Sequence, residues 1–234
     1  MAKARFHQHA FWVYGVIVGL AIKEALSAVL PHLLEYFRTP PASAFASISE
    51  AWKLLVFLIA IVRFYIGSGL YFTEYHSDEV VKSEVNNDGN NDAATTIKST
   101  VASNASVEGG YVTDFLSGVL HFILFFAWSL SINLAPRPEQ RFPFTVFEIV
   151  LGVVLLYDLV WWLVCRGARS KTQVRYWALA NLATFVLVLV VHLLAFCVFR
   201  ASIPLAEGLA LIPVFGISIF DILGMAKASE VEEA

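Results

Sequence analysis

The sequence predicts an all-α fold, a polytopic bundle of six transmembrane helices, and three observations carry that reading. Of 234 residues, 58% are hydrophobic and 15% charged, whereas soluble domains carry about 45–50% apolar and about 25% charged residues. Mean hydropathy is +0.69. Apolar runs near the roughly 20 residues that a spanning helix needs recur through most of the chain. They are too long and too rich in Leu and Ala for barrel strands, which take about 9–11 alternating residues.

The first span is Ala10 to Leu30. Lys3, Arg5 and the small residues of "ALSA" resemble a signal peptide, but Lys23 and Glu24 stand where the apolar region should meet a cleavage site. Trp12 and Tyr14 suit interface anchors, so we read the run as a retained helix. Gly15, Gly19 and Lys23 share a stripe at spacing four, and a GxxxG pattern lets another helix approach closely. A seam within the protomer is the first expectation and a dimer seam the second.

The second span, Leu54 to Phe72, has Arg63 at its centre and Gly67 four residues on, on the same face. The third, Phe115 to Leu134, follows Asp114 and places Ser117 and His121 on the same face as that aspartate. The fourth, Phe144 to Val164, carries Asp158 in "LLYDLVWW". In the fifth, Trp177 to Val198, Asn181 and His192 return to within about 20° of each other, with Thr184 beside them. The sixth, Leu205 to Gly224, contains Glu207, Pro213 and Asp221; neighbouring helices can satisfy the backbone group that a membrane proline frees.

A charge near the bilayer centre costs about 2.5–3.5 kcal/mol on insertion scales, so it usually faces the bundle interior and is paired. Counting depth at about 1.5 Å per residue puts Glu24 roughly 5 Å to one side of Arg63 and Asp158 about 6 Å to the other. Lys23, Glu24, Arg63 and Asp158 sum to zero charge. The expectation is a buried neutral cluster in which Arg63 grips Glu24 or Asp158 bidentately, with Gly67 making room for a neighbouring backbone. Asp114, His121, Asn181, His192 and Asp221 are candidates for a polar pathway; Glu148, Glu207 and Asp221 lie nearer the interfaces, where hydration makes them less diagnostic.

With the N-terminus inside, inner segments hold Lys3, Arg5, Lys82, Lys98, Arg166, Arg169, Lys171, Arg175 and Lys227, and outer ones hold Arg38, Lys53, Arg137, Arg141 and Arg200. That bias predicts both termini in the cytoplasm of a plasma (inner) membrane. Arg166, Arg169, Lys171 and Arg175 form a basic patch facing anionic lipid of the bilayer's cytoplasmic face. Cys165 and Cys197 fall at opposite ends of antiparallel helices, about 30 Å apart, too far for a disulfide.

The organisation expected is two helices in residues 1–75, a disordered acidic and Asn-rich linker at 76–110, four helices in 111–226 and an acidic tail at 227–234. Asn104, Ala105 and Ser106 fit a glycosylation acceptor, which this topology keeps inside. Neither an internal repeat nor a nucleic-acid-binding pattern emerges. No cofactor or metal motif is found either: HExxH and GxSxG are absent. Three function classes remain. The first is an ion- or proton-conducting channel or transporter, acting as a homo-oligomer because six helices enclose little space. The second is a non-catalytic sensor or assembly component whose charge cluster locks or switches packing. The third is an intramembrane metal-dependent enzyme using His121, His192, Asp158 or Asp114.

Overall fold

The computed structural model describes residues 2–38, 44–85, 93–132, 134, 144–164 and 168–232, with side chains over 12–35, 48–71, 112–132, 134, 144–164 and 174–225. The elements are α1 (Ala2–Arg38), α2 (Ala44–Val85), α3 (Ala93–Ser131), α4 (Val146–Val164), α5 (Ala168–Leu193) ending in a π-helical turn (Leu194–Val198), α6 (Ile203–Ala210) and α7 (Ile212–Glu232). Among the described residues there is no strand. Six stretches are long and apolar enough to cross a bilayer: Trp12–Glu35, Ile48–Tyr71, Val112–Ser131, Val146–Val164, Val174–Val198 and Ile203–Met225. The chain is therefore an integral membrane helical bundle, and each predicted span lies within a few residues of an observed one.

The sixth span is α6 and α7 in tandem. Pro213 has no N–H, and its ring opposes the carbonyl four residues back, which interrupts the helix near Leu211. Leu211 still donates its N–H to the Glu207 carbonyl at 3.2 Å, so the break bends the span without ending it. Between α5 and α6 the chain reverses through the π-helical turn and Arg200, whose φ is 51°.

α2 packs against α1, α5, α6 and α7, while α3 links α1 to α4 and α4 packs on α5. Leu116, Leu120, Ile123, Val153, Val160, Val186, Leu187 and Val190 are exposed on the outer faces. An exposed apolar belt is stable where the surroundings are acyl chains, and the interior is then free to hold aromatic and polar groups. Phe57, Ile61, Phe122, Phe125, Trp128, Leu151 and Leu155 form the centre of the core.

The GxxxG seam expected within the protomer is corrected. A Cβ at Gly19 meets nothing within 4 Å and one at Gly15 only the Tyr65 hydroxyl at 3.8 Å, so this stripe faces outward. The close contact of α1 is with α3, where the Tyr14 ring lies directly over Gly118 and its hydroxyl donates to the Phe115 carbonyl at 3.1 Å. Gly67 makes room for a side chain instead of a backbone: its Cβ position is 3.4 Å from the Trp177 indole.

Helix also extends into the expected linker. α2 continues to Val85 and α3 begins at Ala93, taking in Asn104 to Ser106; residues 86–92 lie outside the described residues. α7 likewise runs into the expected tail, to Glu232. Cys165 and Arg166 lie outside the described residues, as do the side chains of Arg169 and Lys171; Arg175 is exposed, and Cys197 is a free, exposed thiol.

Candidate functional site

Three elements each carry two ionisable groups at separate depths. α2 holds Lys53 and Arg63, α4 holds Glu148 and Asp158, and the α6–α7 span holds Glu207 and Asp221. Ten residues of helix correspond to about 15 Å, so the ten-residue spacing shared by α2 and α4 yields two charge layers, one above the other. One lies toward the bundle end marked by Arg175, the other toward the end marked by Arg200.

In the layer toward Arg175, Arg63 donates from Nε to Asp221 Oδ2 at 2.6 Å, with Nη2 2.5 Å from the same oxygen, and from Nη1 to Asn181 Oδ1 at 3.1 Å. The Asn181 amide nitrogen donates to Asp158 Oδ2 at 2.5 Å. These bonds orient the amide, because reversing it would set its nitrogen against the guanidinium and its oxygen against a carboxylate. Asp158 Oδ1 lies 3.1 Å from His121 Nδ1. The relay Asp221–Arg63–Asn181–Asp158–His121 thus joins α7, α2, α5, α4 and α3. Beside it, Tyr71 and Trp161 donate to the two oxygens of Asp114 at 2.9 and 3.3 Å.

In the layer toward Arg200, Lys53 Nζ lies 2.7 Å from Glu207 Oε2, and the Thr145 hydroxyl donates to Glu207 Oε1 at 2.6 Å. Thr145 also caps α4. Its hydroxyl accepts from the Glu148 N–H at 3.2 Å, and its own N–H donates to Glu148 Oε2 at 3.0 Å. This is a reciprocal capping box, legible as "TVFE". Glu148 Oε1 then lies 2.5 Å from His192 Nδ1.

The two layers have the same ionic composition. Each contains one basic side chain of α2, two carboxylates and one histidine that faces a carboxylate of α4 through Nδ1. Each is neutral only when its histidine–carboxylate pair holds one proton. Between them the core is apolar, filled by Phe57, Ile61, Phe125, Leu151, Leu155 and Val214. Thr184 and Ser218 are its buried hydroxyls; Thr184 donates to the Ala180 carbonyl, and Ser218 Oγ has no partner among the described residues. The Nε2 atoms of His121 and His192 are likewise buried without a partner among the described residues.

Among the described residues, the layer toward Arg175 opens onto a cavity of about 490 Å³, whose wall includes Arg63, Asn181, Asp221, Tyr71, Trp177 and Phe220. Asn181 is fully buried and the Arg63 side chain is 6% exposed, whereas the Asp221 side chain is 28% exposed. Arg63 is therefore held from behind and meets the cavity on the side of Asp221.

The sequence expectation for Arg63 is corrected accordingly: its partners are Asp221 and Asn181, and Asp158 reaches it only through the amide. Lys23 and Glu24 do not join the cluster. They pair with each other at 3.0 Å, with side chains 68% and 33% exposed on the outer face of α1. His121, Asn181 and Asp221 do converge, Asp114 stands apart with Tyr71 and Trp161, and His192 belongs to the other layer. Glu148 and Glu207, expected near the interfaces, and Lys53, expected in an outer loop, are 5%, 0% and 6% exposed; Lys53 thus leaves the count of loop charges. Their signal was the ten-residue spacing shared by Lys53–Arg63 and Glu148–Asp158.

Among the described residues no three His, Cys, Asp or Glu side chains gather in a metal-ligating group. Both histidines instead face a single carboxylate each. Comparison with family models, curated proteins and solved structures finds no match for this chain.

Proposed function

We propose that this integral membrane protein is a proton-coupled carrier, with the Arg63 cavity as its solute-accessible side and the two charge layers as its proton-binding stations. The observation that carries this reading is the duplication itself. Two sets of basic side chain, two carboxylates and histidine stand about 15 Å apart in the interior, and among the described residues the set with Arg63 reaches a cavity. Loss of a proton from either set leaves a net charge in a low-dielectric interior, which costs several kcal/mol unless another charge moves with it. The cationic group of a solute settling beside Asp221 is such a compensating charge. The apolar core between the layers favours a carrier that changes conformation over a continuously open pore.

Retaining the orientation expected from Lys and Arg, the cavity faces the cytoplasm, and Arg175 with its basic neighbours meets anionic lipid there. The reading also keeps a homo-oligomer. Lys23 and Glu24 lie mid-span on an outward face beside the open Gly19, and a second copy packed there places each lysine against the other's glutamate. With Gly19→Cys, oxidative cross-linking in membranes should then yield a covalent dimer; a monomer under conditions that cross-link a control dimer would refute the α1 interface.

The transport test is reconstitution in liposomes carrying a pH-sensitive dye. Proton movement driven by a solute gradient should fall at least tenfold in both Asp158→Asn and Glu148→Gln, with monodisperse, helical protein retained. A packing lock is the second reading, favoured by the closed pairing within each layer. Absence of flux for protons, small ions and polar solutes would abandon the carrier reading and leave the lock.

A further inference from the structure

The cavity's unused bonding capacity describes its ligand. A guanidinium has five N–H donors; Arg63 uses one on each nitrogen towards Asp221 and Asn181. One N–H remains on each terminal nitrogen, the spacing that suits both oxygens of a carboxylate or two of a phosphate. Asp221 uses Oδ2 for both contacts with Arg63, and its Oδ1 has no bond among the described residues. Cavity and ion pair therefore present a double donor and an anionic acceptor side by side.

Charge balance narrows the choice. Arg63 and Asp221 already compensate each other, so a ligand with net charge would find no counter-charge left in this pair. A zwitterion does not: its anion meets the free N–H groups while its ammonium meets Oδ1. Tyr71, Trp177 and Phe220 supply an aromatic wall, which suits an apolar body and attracts a cation to its ring faces. A volume of about 490 Å³ falls within the range of about 300–1,000 Å³ of small-molecule sites.

We propose that the Arg63 cavity binds a zwitterion carrying one primary ammonium and one carboxylate or phosphate beside an apolar body. Two sources offer this chemistry: a free aromatic amino acid and the headgroup of phosphatidylethanolamine. The inference shares its cavity with the carrier reading but not the transport step, so equilibrium binding tests the one and flux the other.

The experiment uses the full chain in nanodiscs of phosphatidylglycerol, titrated by calorimetry with L-phenylalanine, 2-phenylethylamine and 3-phenylpropionate. A parallel arm adds phosphatidylethanolamine to the discs and measures its enrichment in the protein's lipid shell. The expected result is phenylalanine binding at least tenfold tighter than either singly charged analogue, or selective retention of phosphatidylethanolamine. Arg63→Gln and Asp221→Asn should each abolish it. Gly224→Phe provides a variant that keeps both charges, because a Cβ at Gly224 meets nothing within 4 Å and the residue lines the cavity; it should fold normally and lose binding. Neither ligand binding in wild type, analogues binding as tightly as phenylalanine, or undiminished binding in Gly224→Phe would each overturn the proposal.

Discussion

Glu207→Gln lowers the unfolding free energy in detergent by about 3–5 kcal/mol, the range for breaking a buried ion pair by neutralising one partner. The Lys53 and Glu207 side chains are 7% and 1% exposed, so the ammonium left behind has no water to turn to. The Phe147 ring, its centroid 5.3 Å from Nζ, offers a cation–π contact of only about 2 kcal/mol even when desolvated. Asp221→Asn is the matched comparison. It unpairs a buried arginine in the same way, but the adjoining cavity can admit water, and Asn181 continues to bind the guanidinium. Its cost should be less than half that of Glu207→Gln. Removing both charges at once, with Lys53→Met and Glu207→Leu, should recover most of the loss, because an apolar pair of similar volume leaves neither charge unpaired. Equal losses for Glu207→Gln and Asp221→Asn in a reversible unfolding assay would contradict this account of where water reaches.

Asn181→Leu is the second large effect. The side chains are close in volume, so the change removes bonding with little change in packing. Asp158 Oδ2 and Arg63 Nη1 both lose a buried partner, and hydrogen bonds to charged groups are worth about 1.5–3 kcal/mol each. The expected destabilisation is about 3–5 kcal/mol. Two further readouts separate it from a generic packing defect. Solute-driven proton movement should be lost, since the amide links Asp158 to Arg63. Combined with Glu207→Gln, the two losses should add within about 0.5 kcal/mol, because the layers are about 15 Å apart and share no partner. Strong non-additivity would mean that the layers are one network.

Much of this architecture is visible in composition and length. The spans follow from apolar runs that match the bilayer, and Arg63 stands out because a central charge is costly wherever it points. His121 and Asn181 were found on the same ground. Glu207, Glu148 and Lys53 were not, because a charge near a span end can equally well be hydrated, and hydropathy does not say whether the helix end is sheltered by neighbours. Here α4, α5 and α6 shelter them. Lys23 failed in the opposite direction. Its depth suggested burial, but the rotation of α1 points it away from the bundle while Tyr14 faces Gly118.

By itself the sequence determined the environment, the number of spans and the approximate depth of each polar residue, because helix rise is constant and the bilayer sets one length scale. Which residues meet was decided by tertiary structure. By depth Glu24 and Asp158 lie within reach of Arg63, yet the carboxylate that meets it is Asp221, because the choice depends on which helices neighbour α2 and how each is rotated. Those rotations follow from contacts between distant segments: Tyr14 over Gly118, Trp177 against Gly67, and the Pro213 break that bends α7. Each is a packing decision made jointly by two helices, and so is written in neither alone.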